Sequence, residues 1–170
     1  DLPPPDPMHF ELATHRAITN VAVRRTDCTA DSYLKEQLLL TSGIFTSTPN
    51  GLLTARIETG AEHEDTDYYS RPLSHFFDPI SHAGLNDWAS GTNSLQWAYN
   101  GSGNQYDWQD ARTAFYKALT QPTRNQRLTE MANTFFDLGH VVHLVEDLAQ
   151  PQHTRNDAHL VGAEIEAYCN

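Results

Sequence analysis

The stretch from Arg124 to about Leu148 constrains the fold most. Leu128, Met131, Phe135, Leu138, Val142 and Val145 recur there at alternating steps of three and four, the spacing that lines one face of an α-helix. Phe136, Gly139 and His143 extend the uncharged surface to one side of that stripe, so the helix is expected to be central. Shorter helices are expected around it. Phe10 to Arg25 places His15, Ile18 and Ala22 on one stripe. A second helix carries Leu34, Leu38 and Leu39, is entered through a segment rich in capping residues from Asp27 to Ser32, and fades by Gly43. Others are expected at Leu53 to Ala61, Ser94 to Tyr99 and Asp107 to Leu119. From Tyr68 to Gly91, prolines 72 and 79 and glycines 84 and 91 predict an irregular excursion, the kind of segment that carries function or wraps a core. No segment alternates with period two and no repeat is visible. The expectation is an all-α fold, a single multi-helix domain over residues 1–170.

A chain of 170 residues, 39% of them hydrophobic, is long enough to bury a working core. Its net charge of -11 and the absence of a basic patch exclude a plain DNA-binding module. They do not exclude an enzyme acting on nucleic acid, because bound divalent cations invert the local charge, so charge sign alone does not separate these cases. Nine histidines stand against eleven Lys and Arg, a ratio that points to metal. Cys28 and Cys169 lack Cys-x-x-Cys spacing and so do not form a thiolate site; one disulfide and two separate thiols both remain open. The longest apolar run is too short to expect a transmembrane helix, and residues 1–170 do not open with a basic segment followed by an apolar stretch. The Asp1-Leu2-Pro3-Pro4-Pro5 start reads as a processed terminus, so a secreted or periplasmic location is expected.

The chemistry concentrates between Gly139 and His153. His143 and Asp147 lie four apart on the long helix and can meet one cation on a shared face. Pro151 lacks a backbone donor and restricts the residue before it, so it ends the helix and lets His153 fold back toward that face. An i, i+4 His and Asp pair is commonly a surface ion pair. Flanked by apolar residues, however, such a pair is costly to desolvate unless a cation or hydrogen bonds compensate it.

The run His143-x-x-x-Asp147-x-x-Gln150-Pro151-x-His153 resembles the signature of the zinc-dependent phospholipase C family, whose all-α fold and three-metal cluster are shared with the fungal zinc-dependent single-strand nucleases. Thr14-His15 is similar to that family's early Thr-His. The acidic stretch from Glu62 to Asp67, followed by His75-Phe76-Phe77-Asp78-Pro79, is similar to the clostridial phospholipase branch. The resemblance runs in order from His15 nearly to the C-terminus. It implies a cluster of up to three zinc ions at one end of the helical bundle. One would be held by Asp65, His75, His143 and Asp147, a second by His153, His159 and Glu166, and a third by His15 with Asp147 bridging. In relatives the third ion also takes the N-terminal amino group and carbonyl of the mature chain, which usually starts with a tryptophan a fixed short distance before the first histidine; this chain has Pro5 in that region and Asp1 further away. His159 and Glu166 are seven apart, about 10 Å of helix rise, so His159 is expected in a loop before a helix starting near Gly162. Glu164 competes with Glu166, and the Ile165-Glu166-Ala167-Tyr168 run favours the latter. Relatives continue through further helices after this point, so the chain is expected to be C-terminally truncated.

The remaining histidines read as incidental: His63 solvated in an acidic loop, His82 in a turn, His9 before the first helix. His140 is expected to be structural or to orient a ligand through its other ring nitrogen. Trp88, Trp97 and Trp108 are expected to pack in the core or on the surface.

The resemblance implies a metal-dependent phosphodiesterase acting on phospholipids, with contact to a membrane surface and no stable nucleic-acid partner. Asp65 would serve both as ligand and as catalytic base toward water. Three alternatives stay open: a single-strand nuclease or nucleotidase of the same fold, a non-catalytic domain stapled by structural metals, and a metal-free helical domain with coincidental histidines.

Overall fold

The structure, a computed structural model, describes residues 7–25, 29–66, 71–85 and 92–157, the first six of these as backbone only. Within them the fold is all-α. Seven helices follow in order: α1 (Pro7–Arg24), α2 (Thr29–Glu36), α3 (Leu53–His63), α4 (Ser94–Asn100), α5 (Trp108–Thr120), α6 (Arg124–Asp147) and α7 (Pro151–Thr154). The connection from Ser47 to Leu52 closes as a two-residue antiparallel pair, β1 (Ser47–Thr48) with β2 (Gly51–Leu52). No described helix is long and apolar enough to cross a membrane. Cys28, Cys169, Trp88, His159, Glu164 and Glu166 lie outside the described residues.

Local chemistry explains the boundaries. At the start of α6, the Thr123 hydroxyl accepts from the Gln126 amide at 3.3 Å while Gln126 reaches back to the Thr123 amide, a reciprocal cap that satisfies two end donors. Asp107 caps α5 in the same way, accepting from the amides of Gln109 and Asp110. Helix α2 stops at Glu36, sooner than expected. Leu39 takes a φ of 55°, and the Leu40 amide returns to the Leu34 carbonyl at 2.9 Å, so the chain turns out in the left-handed conformation that ends helices. Helix α1 already runs from Pro7, which puts His9 inside the helix rather than before it.

The apolar core gathers Leu34, Ile44, Leu53, Ile57, Ala118, Met131 and Phe135, with Leu138 and Val142 packed against it. Two of the expected stripes fail at their ends. Val145 is 63% exposed, because α6 turns that face outward beyond the core. On α1, Ile18 is 46% exposed and Ala22 is also outward, whereas His15 and Thr19 are buried. The seam of α1 with α3 and α6 is polar: Asn20 donates to Glu58 at 2.5 Å and Arg16 to Glu62 at 2.7 Å. Helix α1 thus docks by its polar face.

Helices α3 and α6 approach backbone to backbone at Gly60 and Gly139. A Cβ on Gly60 would overlap the Phe136 carbonyl, and one on Gly139 would overlap the Ile57 carbonyl and lie 2.7 Å from the Ala61 nitrogen. Only residues without side chains permit that contact. It brings the end of α3, and the carboxylates that follow it, against the last two turns of α6.

Candidate metal site

Five predicted ligands converge at the C-terminal end of α6, supplied by four separate segments. His143 and Asp147 come from α6, His15 from α1, Asp65 from the turn after α3, and His75 from the segment after the 3-10 turn Pro72–Ser74. The Phe77 amide donates to the His153 carbonyl at 3.0 Å and the Ser94 amide to the Phe76 carbonyl at 3.0 Å, which clamps the His75 segment between α7 and α4. His143, Asp147, His75 and His15 are 0 to 5% exposed. Asp65 is the most open of the five, its side chain 17% exposed.

Distances around Asp147 carry the chemistry. Its Oδ2 lies 3.0 Å from His75 Nδ1, 3.2 Å from His143 Nε2 and 3.3 Å from His153 Nδ1, yet this buried oxygen makes no hydrogen bond among the described residues. Asp65 Oδ1 completes the group at 3.5 Å from His75 Nδ1 and 3.4 Å from His143 Nε2. A metal bound to nitrogen and oxygen at about 2.0–2.2 Å in a tetrahedron spaces neighbouring donors about 3.3–3.6 Å apart. Four edges of the Asp65, His75, His143 and Asp147 group run from 3.0 to 3.5 Å. Buried donors that crowd to this spacing without hydrogen-bonding one another fit a shared cation. A second compact group is formed by His15, His143 and Asp147. There Asp147 presents its other oxygen, Oδ1, at 3.3 Å from His15 Nε2, and the His15 and His143 rings stack at 3.8 Å. Asp147 therefore faces both groups, one oxygen to each.

The histidines are oriented from behind. His143 Nδ1 donates to the Ala61 carbonyl at 2.7 Å, which leaves Nε2 with its lone pair toward the carboxylates, the arrangement a metal ligand requires. That carbonyl is within reach because of the Gly60–Gly139 contact. His15 Nδ1 lies 2.8 Å from Glu146 Oε2, and Glu146 in turn accepts from the Thr19 hydroxyl at 2.8 Å.

Electrostatics agree with clustered opposite charges. Burial disfavours ionised Asp147 and Asp65, but the facing imidazoles outweigh it and hold both carboxyls below their usual range. Burial likewise opposes charge on His75, yet Asp147 and Glu64 push it up to about 9. His143 is raised well above its ordinary value by Asp147 and Asp65, again against burial. The group is thus built to neutralise buried carboxylates with cations, and a metal entering it would displace protons.

Beside this cluster lies a buried network. Glu64, fully buried, accepts from Trp97 Nε1 at 2.8 Å through Oε1 and from Arg71 through Oε2, which also faces His140 Nδ1. Tyr106 stacks on His140 at 4.4 Å. Burial holds the His140 pKa down to about 4, so this ring is neutral. His63, expected in solvent, packs among Tyr106, Phe136 and His140 with ring centroids 5.2 to 5.7 Å away. The reason is that α3 runs two residues further than Ala61 and carries His63 onto α6. His82 occupies a turn with φ 58°, as expected.

His153 folds back onto Asp147 as the proline turn predicts. It joins neither compact three-donor group found among the described residues, and the other two ligands assigned with it, His159 and Glu166, lie outside those residues. Sequence reasoning passed over Glu64, Arg71, Glu146, Thr19 and the Ala61 carbonyl. The one available signal was adjacency, since Glu64 and Glu146 each immediately precede a ligand aspartate. No protein-family model, no curated protein and no solved structure gives a significant match to this chain.

Proposed function

We propose that this chain is a zinc-dependent phosphodiesterase, similar to zinc-dependent phospholipase C, that acts outside the cytoplasm on phospholipids. The observation that carries this reading is the buried Asp147 carboxylate, whose two oxygens face two overlapping groups of imidazole and carboxylate donors, with His143 common to both, at metal-ligand spacing. The donor set favours zinc: a mixture of imidazoles and carboxylates in a tetrahedral frame suits it, whereas calcium and magnesium prefer all-oxygen shells of six or more. A divalent cation here supplies Lewis acidity toward a phosphoryl oxygen and makes water more acidic.

The chain's own residues do the rest. His15, His75 and His143 present lone pairs from rigid elements, so the donor geometry is set before substrate arrives. Asp65 is the donor that solvent reaches most readily, which suits it to orient the attacking water and take its proton. Phospholipid is favoured over nucleic acid by the His75-Phe76-Phe77-Asp78-Pro79 likeness.

Hydrolysis of phosphatidylcholine vesicles and of single-stranded DNA, assayed side by side with zinc and with chelator, tests the reading. Zinc-dependent release of the lipid headgroup is expected, and Asp65→Asn should abolish it while much of the zinc stays bound. Turnover of DNA alone would transfer the site to the single-strand nucleases. Zinc binding that raises the melting temperature without turnover of either substrate would leave only structural metals.

A further inference from the structure

The chain contains two Glu-Asp pairs, Glu64-Asp65 and Glu146-Asp147, and the fold uses both in the same way. In each pair the aspartate turns into the donor cluster, while the glutamate turns to the outer nitrogen of a histidine that comes from a different segment. On α6 the reason is helical geometry: consecutive residues point about 100° apart, so Asp147 faces His75 and His143 as Glu146 faces α1. Glu146 Oε2 stands 2.8 Å from His15 Nδ1 and its Oε1 is held at 2.8 Å by the Thr19 hydroxyl, one turn from His15. Glu64 Oε1 stands 3.5 Å from His75 Nε2, a nitrogen with no hydrogen-bond partner among the described residues. That glutamate is itself fixed by Trp97, Arg71 and the His140 ring nitrogen Nδ1, and Arg71 is tied to Asn104 at 3.0 Å.

We infer that Glu146 and Glu64 are positioning residues: Glu146, through its 2.8 Å contact, fixes the tautomer and ring orientation of His15 so that its other nitrogen offers a lone pair to the cluster, and Glu64, 3.5 Å from His75 Nε2 without a hydrogen bond, orients that ring through its charge. Glu146 governs the group of His15, His143 and Asp147, and Glu64 governs the group of Asp65, His75 and His143. The inference rests on the metal reading above and adds a division of labour to it. Each ligand aspartate carries on its N-terminal side the residue that aligns a partner ligand, so two short segments preset four donors. An imidazole with its outer nitrogen held as a donor is the more basic and better-aimed ligand, and losing such support costs about 10–100-fold in metal affinity.

The test is a stepwise zinc titration of the full chain against a chromophoric chelator, with the melting temperature of the metal-free protein recorded for each variant. Glu146→Ala should weaken, by about 10–100-fold, the same equivalent of zinc that His15→Ala removes, and leave the remaining zinc as tight as in wild type. Glu146→Gln keeps an acceptor and should recover part of the loss. Thr19→Val, which frees one oxygen of Glu146, should produce a smaller loss in the same equivalent. Glu64→Gln, chosen because Ala would strand buried Arg71, should weaken the other group and spare the one lost in His15→Ala. If the wild-type chain takes up zinc and all four variants titrate like it, the positioning roles are wrong and the metal site stands. A lowered melting temperature with unchanged zinc affinity has the same meaning, since it marks a structural role alone. If the wild-type chain takes up no zinc, the metal reading falls and this inference with it.

Discussion

Between Leu128 and Phe135, α6 buries apolar side chains against α2, α3 and α5; between His140 and Asp147 the same helix buries imidazoles and a carboxylate against α1, α3 and the His75 segment. Both halves are shielded from water. The first half is held by the non-directional gain from removing apolar surface from water. The imidazoles and the carboxylate of the second half gain nothing from burial as such and are stable only while each donor and carboxylate finds an opposite charge, a hydrogen bond or a cation. The comparison teaches that burial in this chain has two meanings. A core side chain tolerates a volume-conserving replacement, whereas a cluster side chain tolerates only a replacement that keeps its atoms and charge in place.

Breaking each half separately sharpens the contrast. Asp147→Asn is expected to have the largest effect, since it removes the charge shared by both donor groups: about 3–5 kcal/mol of stability from leaving buried imidazoles uncompensated, together with loss of zinc-induced stabilisation in thermal melts. Phe135→Ala should cost about 3 kcal/mol through the cavity it leaves, measured by urea unfolding, while zinc affinity stays at the wild-type value. Loss of zinc binding in that variant would show that the two halves are not separable. Gly139→Ala sits at the join. Its Cβ overlaps the α3 backbone, so about 1–3 kcal/mol of overpacking strain is expected, and because the shift moves the Ala61 carbonyl away from His143, zinc affinity should fall as well.

The smallest effect concerns pH and comes mainly from the second half. His75 is raised to about 9 in the folded chain from 6.5, so without metal its contribution is complete below pH 6.5 and is lost as pH rises through 9. His140 is lowered to about 4; its contribution is present above pH 6.5 and is lost as pH falls toward 4. Melting temperatures in chelator should therefore fall above pH 6.5; below it the His140 loss is offset by Asp137, whose carboxyl is pushed up to about 7 by burial and by Asp110 and so gains stability as pH falls toward 3.8. Zinc should remove the alkaline decline, because a metal-ligated His75 no longer needs its proton. Phe135→Ala should lower the whole curve without changing its shape.

Legibility followed the same divide. The alternating three-and-four spacing from Leu128 to Val142 gave α6, and capping residues gave its start and that of α5, because both signals are local. Val145 continued the spacing and is exposed, since nothing in the sequence says where the packed surface of a helix ends. The α1 stripe misled for a related reason: Ile18 and Ala22 are apolar, but α1 docks through His15 and Thr19, whose partner Glu146 is 127 residues from Thr19. Among the site residues, His143, Asp147 and the fold-back of His153 followed from helix geometry and one proline. Asp65, His75 and His15 came only through resemblance, as spacing cannot bring distant segments together. Glu64, Arg71 and His63 were misjudged or passed over, because a buried glutamate looks like a solvated one until its donors are known.

The helical class, the ends of the strongest helices and the His and Asp face on α6 are readable from residue order, because all of them depend on neighbours within a few residues. Only the tertiary structure decided that α3 and α6 touch through Gly60 and Gly139, that Asp147 divides its two oxygens between groups from different segments, and that Glu64 and Glu146 point at histidines rather than at water. Those outcomes depend on which backbones can approach closely enough for buried charges to meet, and that distance is set by packing across the whole fold.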